Sequence, residues 1–323
     1  MKIIYNKGFL EHETGPHPES KRRLEAFGNL EETKLEVNEA QLIEHIRLVH
    51  SNAHIDLVKR SCERSQLIEG DTVTVPGSYK AAFLAVQATV LASEQGGFAL
   101  VRPPGHHANP ELVHGFCLFN NIAIAAARLA KQGKRVLIFD FDGHYGDGTM
   151  KAFYASDQVM YWSLHQFPAF PGIGDTHEIG EGKGKGFTLN IPLPPESGDD
   201  IFMEAIERTL PTALQFKPDI VGISAGFDAH QADPLLQLRV SLQTFFDIGR
   251  LVQKHFKGAF ATLEGGYNID ILPKATYNFI DGVNGTPKPR FTEPRTDSRI
   301  QTMDEFQERM VKLERNLKPY WRV

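Results

Sequence analysis

Val136-Leu-Ile-Phe-Asp140-Phe-Asp142-Gly-His144-Tyr-Gly-Asp147-Gly-Thr149 is the stretch on which the reading of this chain turns. Its first four residues are continuously apolar, the pattern of a strand buried on both faces of a parallel sheet. Directly after them, three carboxylates and a histidine fall within residues 140–147. Buried charges at that density need a cation or other partners, because an isolated buried charge is costly. Asp142 and His144 are two apart, so on an extended segment their side chains point the same way and can grip one ion.

The same arrangement recurs along the chain. Continuously apolar runs occupy 3–5, 98–101, 136–140, 159–164, 187–191, 220–224 and 260–263, and helical patterns occupy 77–94, 120–132, 200–215 and 242–254. Strand alternating with helix predicts right-handed βαβ units, hence an α/β fold with an open parallel sheet covered on both faces. No repeat or low-complexity tract interrupts it. The composition shifts only after Gly282, where Asn284-Gly-Thr-Pro-Lys-Pro289 opens a polar segment to about Arg299. An amphipathic stretch at 303–313 then closes the chain. The expected organisation is one domain over 1–323 with a C-terminal helical tail from about 300.

In open α/β sheets ligands bind beyond the carboxyl ends of the strands. His106 and His107 follow one run, and Asp140, Asp142 and His144 follow the next. Ser163 and His165 close the 159–164 run, Asp228 follows 220–224, and Glu264-Gly-Gly-Tyr267 follows 260–263. Asp228 is the natural third ligand beside Asp142 and His144. Two carboxylates and one histidine suit Zn²⁺, or Fe²⁺ or Co²⁺, and three protein ligands leave a position open for water. In the Gly/Pro turn Arg102-Pro-Pro-Gly-His106-His107 both imidazoles can face one cleft. A carboxylate apiece, from Asp140 and Asp147, would fix their tautomers. The two glycines before Tyr267 read as a flexible turn that swings a phenol towards the metal, as donor to an oxyanion. Taken singly, an Asp-x-His, a histidine pair in a loop or a Gly-Gly-Tyr is more often structural. Their convergence on one sheet edge is what favours chemistry.

Composition excludes other classes. The chain is 41% hydrophobic and 23% charged, with a net charge of −5, which disfavours nucleic-acid binding through bulk electrostatics. Lys183 and Lys185 sit in a Gly/Lys-rich turn rather than on a basic face. The two cysteines, Cys62 and Cys117, provide neither a disulfide framework nor a thiolate zinc site. No apolar run is long enough for a membrane span or a secretory leader. A soluble cytoplasmic protein is expected, with oligomerisation left open.

Together these motifs resemble the histone deacetylase and acetylpolyamine amidohydrolase family. The matching pieces are Pro16-His-Pro-Glu-Ser20, Arg102-Pro-Pro-Gly-His-His-Ala108, His114-Gly-Phe-Cys-Leu-Phe-Asn-Asn121, Asp140-Phe-Asp-Gly-His144, Ser163-Leu-His165, Phe170-Pro-Gly172, Ala225-Gly-Phe-Asp-Ala-His230 and Glu264-Gly-Gly-Tyr267. They stand in the family's order over roughly residues 10 to 285, and resemble its class II branch and bacterial members. The resemblance implies the arginase-deacetylase fold, with a central parallel sheet of about eight strands. It implies a catalytic zinc on Asp142, His144 and Asp228, and His107 as general base with His106 as electrostatic partner. Asp140 then supports His106, Asp147 supports His107, and Tyr267 polarises the scissile carbonyl. Phe116 and Phe170, with Gly115, would wall a narrow tunnel around an aliphatic chain. A potassium ion is implied at Asp140, Asp142, His144, Ser163 and Leu164. The implied reaction is hydrolysis of an acylated amine by metal-activated water.

Three positions depart from the family pattern. Tyr145 stands where a second histidine is usual, and Gly143 where a larger apolar residue is usual. Asp147 is often asparagine in class II, and as a charged partner it should make His107 more basic. The substrate rests on fewer residues. Polyamine-selective relatives carry an acidic gatekeeper seven residues after the last zinc aspartate, and here that position is Leu235. An apolar gate favours an acyl-lysine-like substrate over an acetylpolyamine. Asp71 is a candidate acid at the tunnel mouth. An arginase-like ureohydrolase would need further metal-binding aspartates. A non-catalytic acyl-amine binder would have lost His107, Tyr267 or a metal ligand, and all are present.

Overall fold

The computed structural model describes residues 1–323. Seven strands form the central sheet: β1 (Ile3–Ile4), β2 (Phe98–Ala99), β3 (Val136–Asp140), β4 (Val159–Gln166), β5 (Thr188–Leu193), β6 (Ile220–Ala225) and β7 (Ala259–Leu263). They lie in the order β1-β2-β7-β6-β3-β4-β5, and every neighbouring pair is parallel. The sheet thus has seven strands where about eight were expected. Every residue of β3, β4 and β5 is buried, as the unbroken apolar runs require.

The strand order positions the site. From β3 the chain moves outward through β4 to β5, then returns to the other side of β3 as β6. β3 and β6 are in register with Asp140 opposite Ser224, so the loops leaving their carboxyl ends meet. β7 and β2 continue the row beyond β6, bringing in Glu264–Tyr267 and Arg102–His107. Side chains distant in sequence therefore share one crevice at a topological switch point.

Helices Pro76–Gln95, Asn121–Lys131, Asp199–Gln215, Leu242–His255, Leu272–Val283 and Ile300–Leu317 pack around the sheet. Pro76 begins its helix where a missing N–H costs nothing, and Gly96 ends it in a left-handed conformation, φ 69°. Asn120 caps the next, its side chain accepting from Ala123 N at 3.0 Å. The main apolar core runs through the sheet, and a smaller one containing Leu42, Ile46, Val58, Phe83 and Phe119 lies near the N-terminal helices. Helices Glu39–Ile46, Asn52–Glu63 and Leu272–Val283 were not apparent from periodicity, nor was the hairpin of Leu67–Ile68 and Thr72–Val73. No helix is long and apolar enough to cross a membrane.

The polar segment after Gly282 is pinned to the body. Glu293 Oε1 accepts from Leu242 N at 2.9 Å and pairs with His230 Nε2 at 2.8 Å. Asp199 Oδ2 accepts from Thr296 N at 3.0 Å.

Candidate metal centre and active site

Asp142, His144 and Asp228 each present a ligand atom within 4.8 Å of the others. His144 Nδ1 lies 2.8 Å from Asp228 Oδ2 and 3.4 Å from Asp142 Oδ1. The cause of this convergence differs from the expectation. β3 ends at Asp140, and the chain then turns: Asp142 N donates to Asp140 Oδ1 at 3.1 Å and His144 N to Asp142 Oδ1 at 2.9 Å. A turn, and not strand alternation, brings the two side chains together.

The remaining carboxylate oxygens are held by backbone. Gly143 N donates to Asp228 Oδ1 and Gly265 N to Asp142 Oδ2, both at 2.7 Å. A Cβ on Gly265 would overlap Asp228 Oδ2 and stand 2.7 Å from Asp142 Oδ2, and one on Gly226 would overlap Asp142. These glycines allow close approach to the carboxylates; flexibility is not their main service. Against burial, which lowers it, the charges of Asp228 and Asp142 carry His144 up to about 10. Two buried carboxylates and one imidazole beside an open cavity are an oxygen/nitrogen donor set that fits Zn²⁺, and Fe²⁺ or Co²⁺ as well.

The histidine pair flanks this floor. His106 Nδ1 is 3.2 Å from Asp140 Oδ2, and His107 Nδ1 is 2.8 Å from Asp147 Oδ1, one carboxylate for each ring. Burial opposes the charge on His106, yet Asp142 and Asp140 hold it well above the usual histidine range. His107 goes the other way: burial, then the facing His106, lower it to about 4 although Asp147 pulls upward. The expected gain in basicity from Asp147 is present but outweighed. The two adjacent rings are thus pushed in opposite directions by their surroundings. Glu264 orients their turn, its Oε2 accepting from Gly105 N at 2.7 Å and His106 N at 3.0 Å. Burial lifts Glu264 to about 7.

The turn that carries Tyr267 is clamped. Tyr267 N donates to Asp233 Oδ2 at 2.7 Å, and Arg23 Nε donates to Gly266 O at 2.7 Å. The Arg23 guanidinium also stands 5.1 Å from the Tyr267 ring centre. Burial holds the phenol well above its ordinary range, so it stays a donor.

A cavity of about 220 Å³ opens above these groups. His107, His144 and Tyr267 line it together with Gly115, Phe116 and Phe170, and Asp71 and Leu235 complete the lining. The five residues assigned to substrate contact from sequence, Asp71, Gly115, Phe116, Phe170 and Leu235, all line this cavity. A Cβ on Gly115 would stand 2.5 Å from Cδ2 of the His107 ring, so only glycine lets this backbone lie against that imidazole. Phe116 adopts φ 69°, unusual for a bulky residue, and its N–H is held by Thr72 Oγ1 at 3.1 Å.

Ser163 and Leu164 lie within β4, with Ser163 in register beside Asp140. His165 does not reach the cavity. It is fully buried, 2.9 Å from Ser163 Oγ through Nδ1 and 2.8 Å from Gly174 O through Nε2. Two of the three departures, Tyr145 and Gly143, have packing reasons. Tyr145 is buried, its hydroxyl accepting from Asn190 Nδ2 at 2.9 Å and its ring 4.4 Å from that of His165. The space beside Gly143 is filled by Leu236, which a Cβ there would overlap.

Several contributors escaped the sequence reading. Asn109 Nδ2 donates to Asp147 Oδ2 at 2.8 Å, and His114 Nδ1 lies 3.3 Å from the same oxygen. Glu19 is fully buried and pairs with Arg102 and Arg23. Its place beside Pro16-His-Pro was the available signal, since a charged residue inside an apolar-turn motif needs a reason.

Comparison with known proteins gives the family. The histone deacetylase domain model matches residues 17–283. A probable deacetylase of Archaeoglobus fulgidus is 34% identical, over 99% of this chain and 96% of its own. Histone deacetylase 10, chloroplastic, of Oryza sativa is 38% identical over 88% of this chain and 74% of its own. The histone deacetylase-like amidohydrolase of Pseudomonas aeruginosa is 33% identical over 83% and 76%. Among solved structures, the HDA15 HD domain superposes with a TM-score of 0.88 at 28% identity, covering 99% of this chain and 97% of that one. The α/β parallel-sheet fold is thus that of a histone deacetylase domain. The chain belongs to the histone deacetylase family.

Proposed function

We propose that this protein is a zinc-dependent amidohydrolase that removes an acetyl or other acyl group from an acyl-lysine-like amine. One observation carries the reading: the Asp147-supported His107, His144 and Tyr267 line one cavity walled by Phe116 and Phe170, with Asp142 and Asp228 clustered on His144 beneath it. A zinc ion held by those three ligands supplies Lewis-acid polarisation of the amide oxygen and a lowered pKa for the attacking water.

The chain's own groups account for the rest. Phe116 and Phe170 hold the aliphatic stem and exclude water from the carbonyl. Asp147 keeps the His107 proton on Nδ1, so Nε2 is free to take the proton of the attacking water. His106, charged and 3.7 Å from Asp142 Oδ1, offsets negative charge beside the floor. The Tyr267 hydroxyl donates to the oxygen that becomes negative as the carbonyl is attacked. Protonated His107 then delivers its proton to the departing amine nitrogen, leaving a carboxylate and a free amine. A structural potassium ion beside Asp140, Asp142, His144, Ser163 and Leu164 belongs to the same proposal, supported by the Asp140–Ser163 register.

Leu235 at the cavity supports the acyl-lysine choice, because it offers no partner for a distant ammonium. Asp71 at the same cavity favours the second reading, an acetylpolyamine deacetylase. Comparing kcat/KM on acetyl-lysine peptides, acetylpolyamines and longer acyl-lysines separates the two. Preference for acetyl- or acyl-lysine supports the proposal, and preference for acetylpolyamines replaces it. A zinc-loaded protein with no turnover on any of them would be an acyl-amine binder.

A further inference from the structure

The wall residue Phe170 sits on an irregular segment held to the body at separate points, among them Phe167 N to Leu193 O and His165 Nε2 to Gly174 O, both at 2.8 Å. Residues 167–181 form neither helix nor strand, and Phe170 itself is 42% exposed. Ile173 packs against the core and Ile179 is buried within it. Two points that bracket Phe170 are tied to the C-terminal helix Ile300–Leu317, which lies beyond the residues matched by the family model. Before Phe170, Arg309 Nη1 donates to Phe167 O at 2.7 Å and to Pro192 O at 3.3 Å, with its guanidinium 5.9 Å from the Phe167 ring centre. After it, Asn316 Nδ2 donates to Thr176 O at 2.9 Å.

Residues seven apart lie two turns apart on one face of a helix. Arg309 and Asn316 are so spaced, beside the buried stripe of Phe306, Met310, Leu313 and Leu317. The helix's other flank has an equivalent pair, Gln307 and Glu314, both bonded to Arg208 of helix Asp199–Gln215. One flank therefore fastens the helix to the body and the other fastens the Phe170 segment to the helix.

We propose that Arg309 and Asn316 are positioning residues for the tunnel wall, setting where Phe170 stands and hence how tightly substrate is gripped. Phe170 meets the aliphatic stem in ground state and transition state alike. Loosening it removes uniform binding, which raises KM and leaves kcat largely intact. The inference rests on the proposed deacetylase reading for its kinetic consequence, but not for the clamp itself.

The test uses the full-length zinc-loaded protein and three variants, Arg309→Met, Asn316→Leu and, as control, Arg208→Met on the opposite flank. Hydrogen–deuterium exchange across 168–175 without substrate reads the clamp. Steady-state hydrolysis of an acetyl-lysine peptide amide reads its effect. Faster exchange and a KM increase of about fivefold, with kcat within about twofold, are expected for the first two variants but not for Arg208→Met. Arg309→Lys should restore part of the KM. Wild-type exchange across 168–175 in both clamp variants would overturn the inference, as would an equal KM rise in Arg208→Met. Faster exchange in the clamp variants of a protein that hydrolyses no acylated amine would uphold the clamp and sink the proposed function instead.

Discussion

Asp142 and Asp228 are fully buried, and all four of their oxygens have partners: backbone N–H groups from residues 143, 144 and 265, and the His144 ring. Leu235 and Phe170, which line the same cavity, are 36% and 42% exposed and stand on loops. The floor is over-determined, with glycines at 226 and 265 that leave no room for a Cβ. The rim carries individual side chains on loops. On the proposed reading, reaction chemistry is built into the fold and substrate choice falls to these loop side chains.

The largest effect should come from the floor. Asp228→Ala is expected to lose bound metal and to lower kcat/KM by about three orders of magnitude or more, read by elemental analysis beside turnover. Tyr267→Phe should keep its zinc and lose about 10²–10³ in kcat, the usual effect of removing one oxyanion donor. Full activity in that variant would remove Tyr267 from the chemistry. At the rim the sign of the effect depends on the substrate. Leu235→Glu should raise kcat/KM for an acetylpolyamine about tenfold and lower it modestly for an acetyl-lysine peptide, with an unchanged unfolding temperature. If both substrates respond alike, Leu235 is not the gate.

The smallest effect on activity, but one on stability, lies in the buried frame. Burial holds His50 and His165 near 3, below the ordinary 6.5. Between those values the unfolded chain binds protons that the folded chain does not, so stability falls as pH drops from about 6.5 towards 3. Denaturant titrations at pH 7 and 4.5 should show that loss, and His165→Gln should reduce it. An unchanged slope in the variant would place the acid sensitivity elsewhere.

The sequence made the strand ends legible because buried parallel strands are unbroken apolar runs and ligands collect at their carboxyl ends. Asp142, His144, Asp228, His107 and Tyr267 were singled out on that logic; His107, His144 and Tyr267 line one cavity, and Asp142 and Asp228 stand against His144. Other features are not local properties of the chain. Arg23 reaches Gly266 across 243 positions of sequence, and no periodicity records such a contact. Gly265 looked like a hinge in isolation, and only the two carboxylates packed on it show why it has no side chain. His165 followed a strand like the others, yet it points into the interior and bonds Gly174. The seven apolar runs match the seven strands one for one, even β1 and β2 at two residues each, whereas the count of about eight came with the family resemblance and not from the runs.

Zinc titration of the chelated protein, followed by hydrolysis of an acetyl-lysine peptide amide, tests the central claim most directly. The account predicts no turnover without metal and full recovery at about one zinc per chain, as a three-ligand catalytic site requires. Undiminished turnover after exhaustive removal of metal would contradict it.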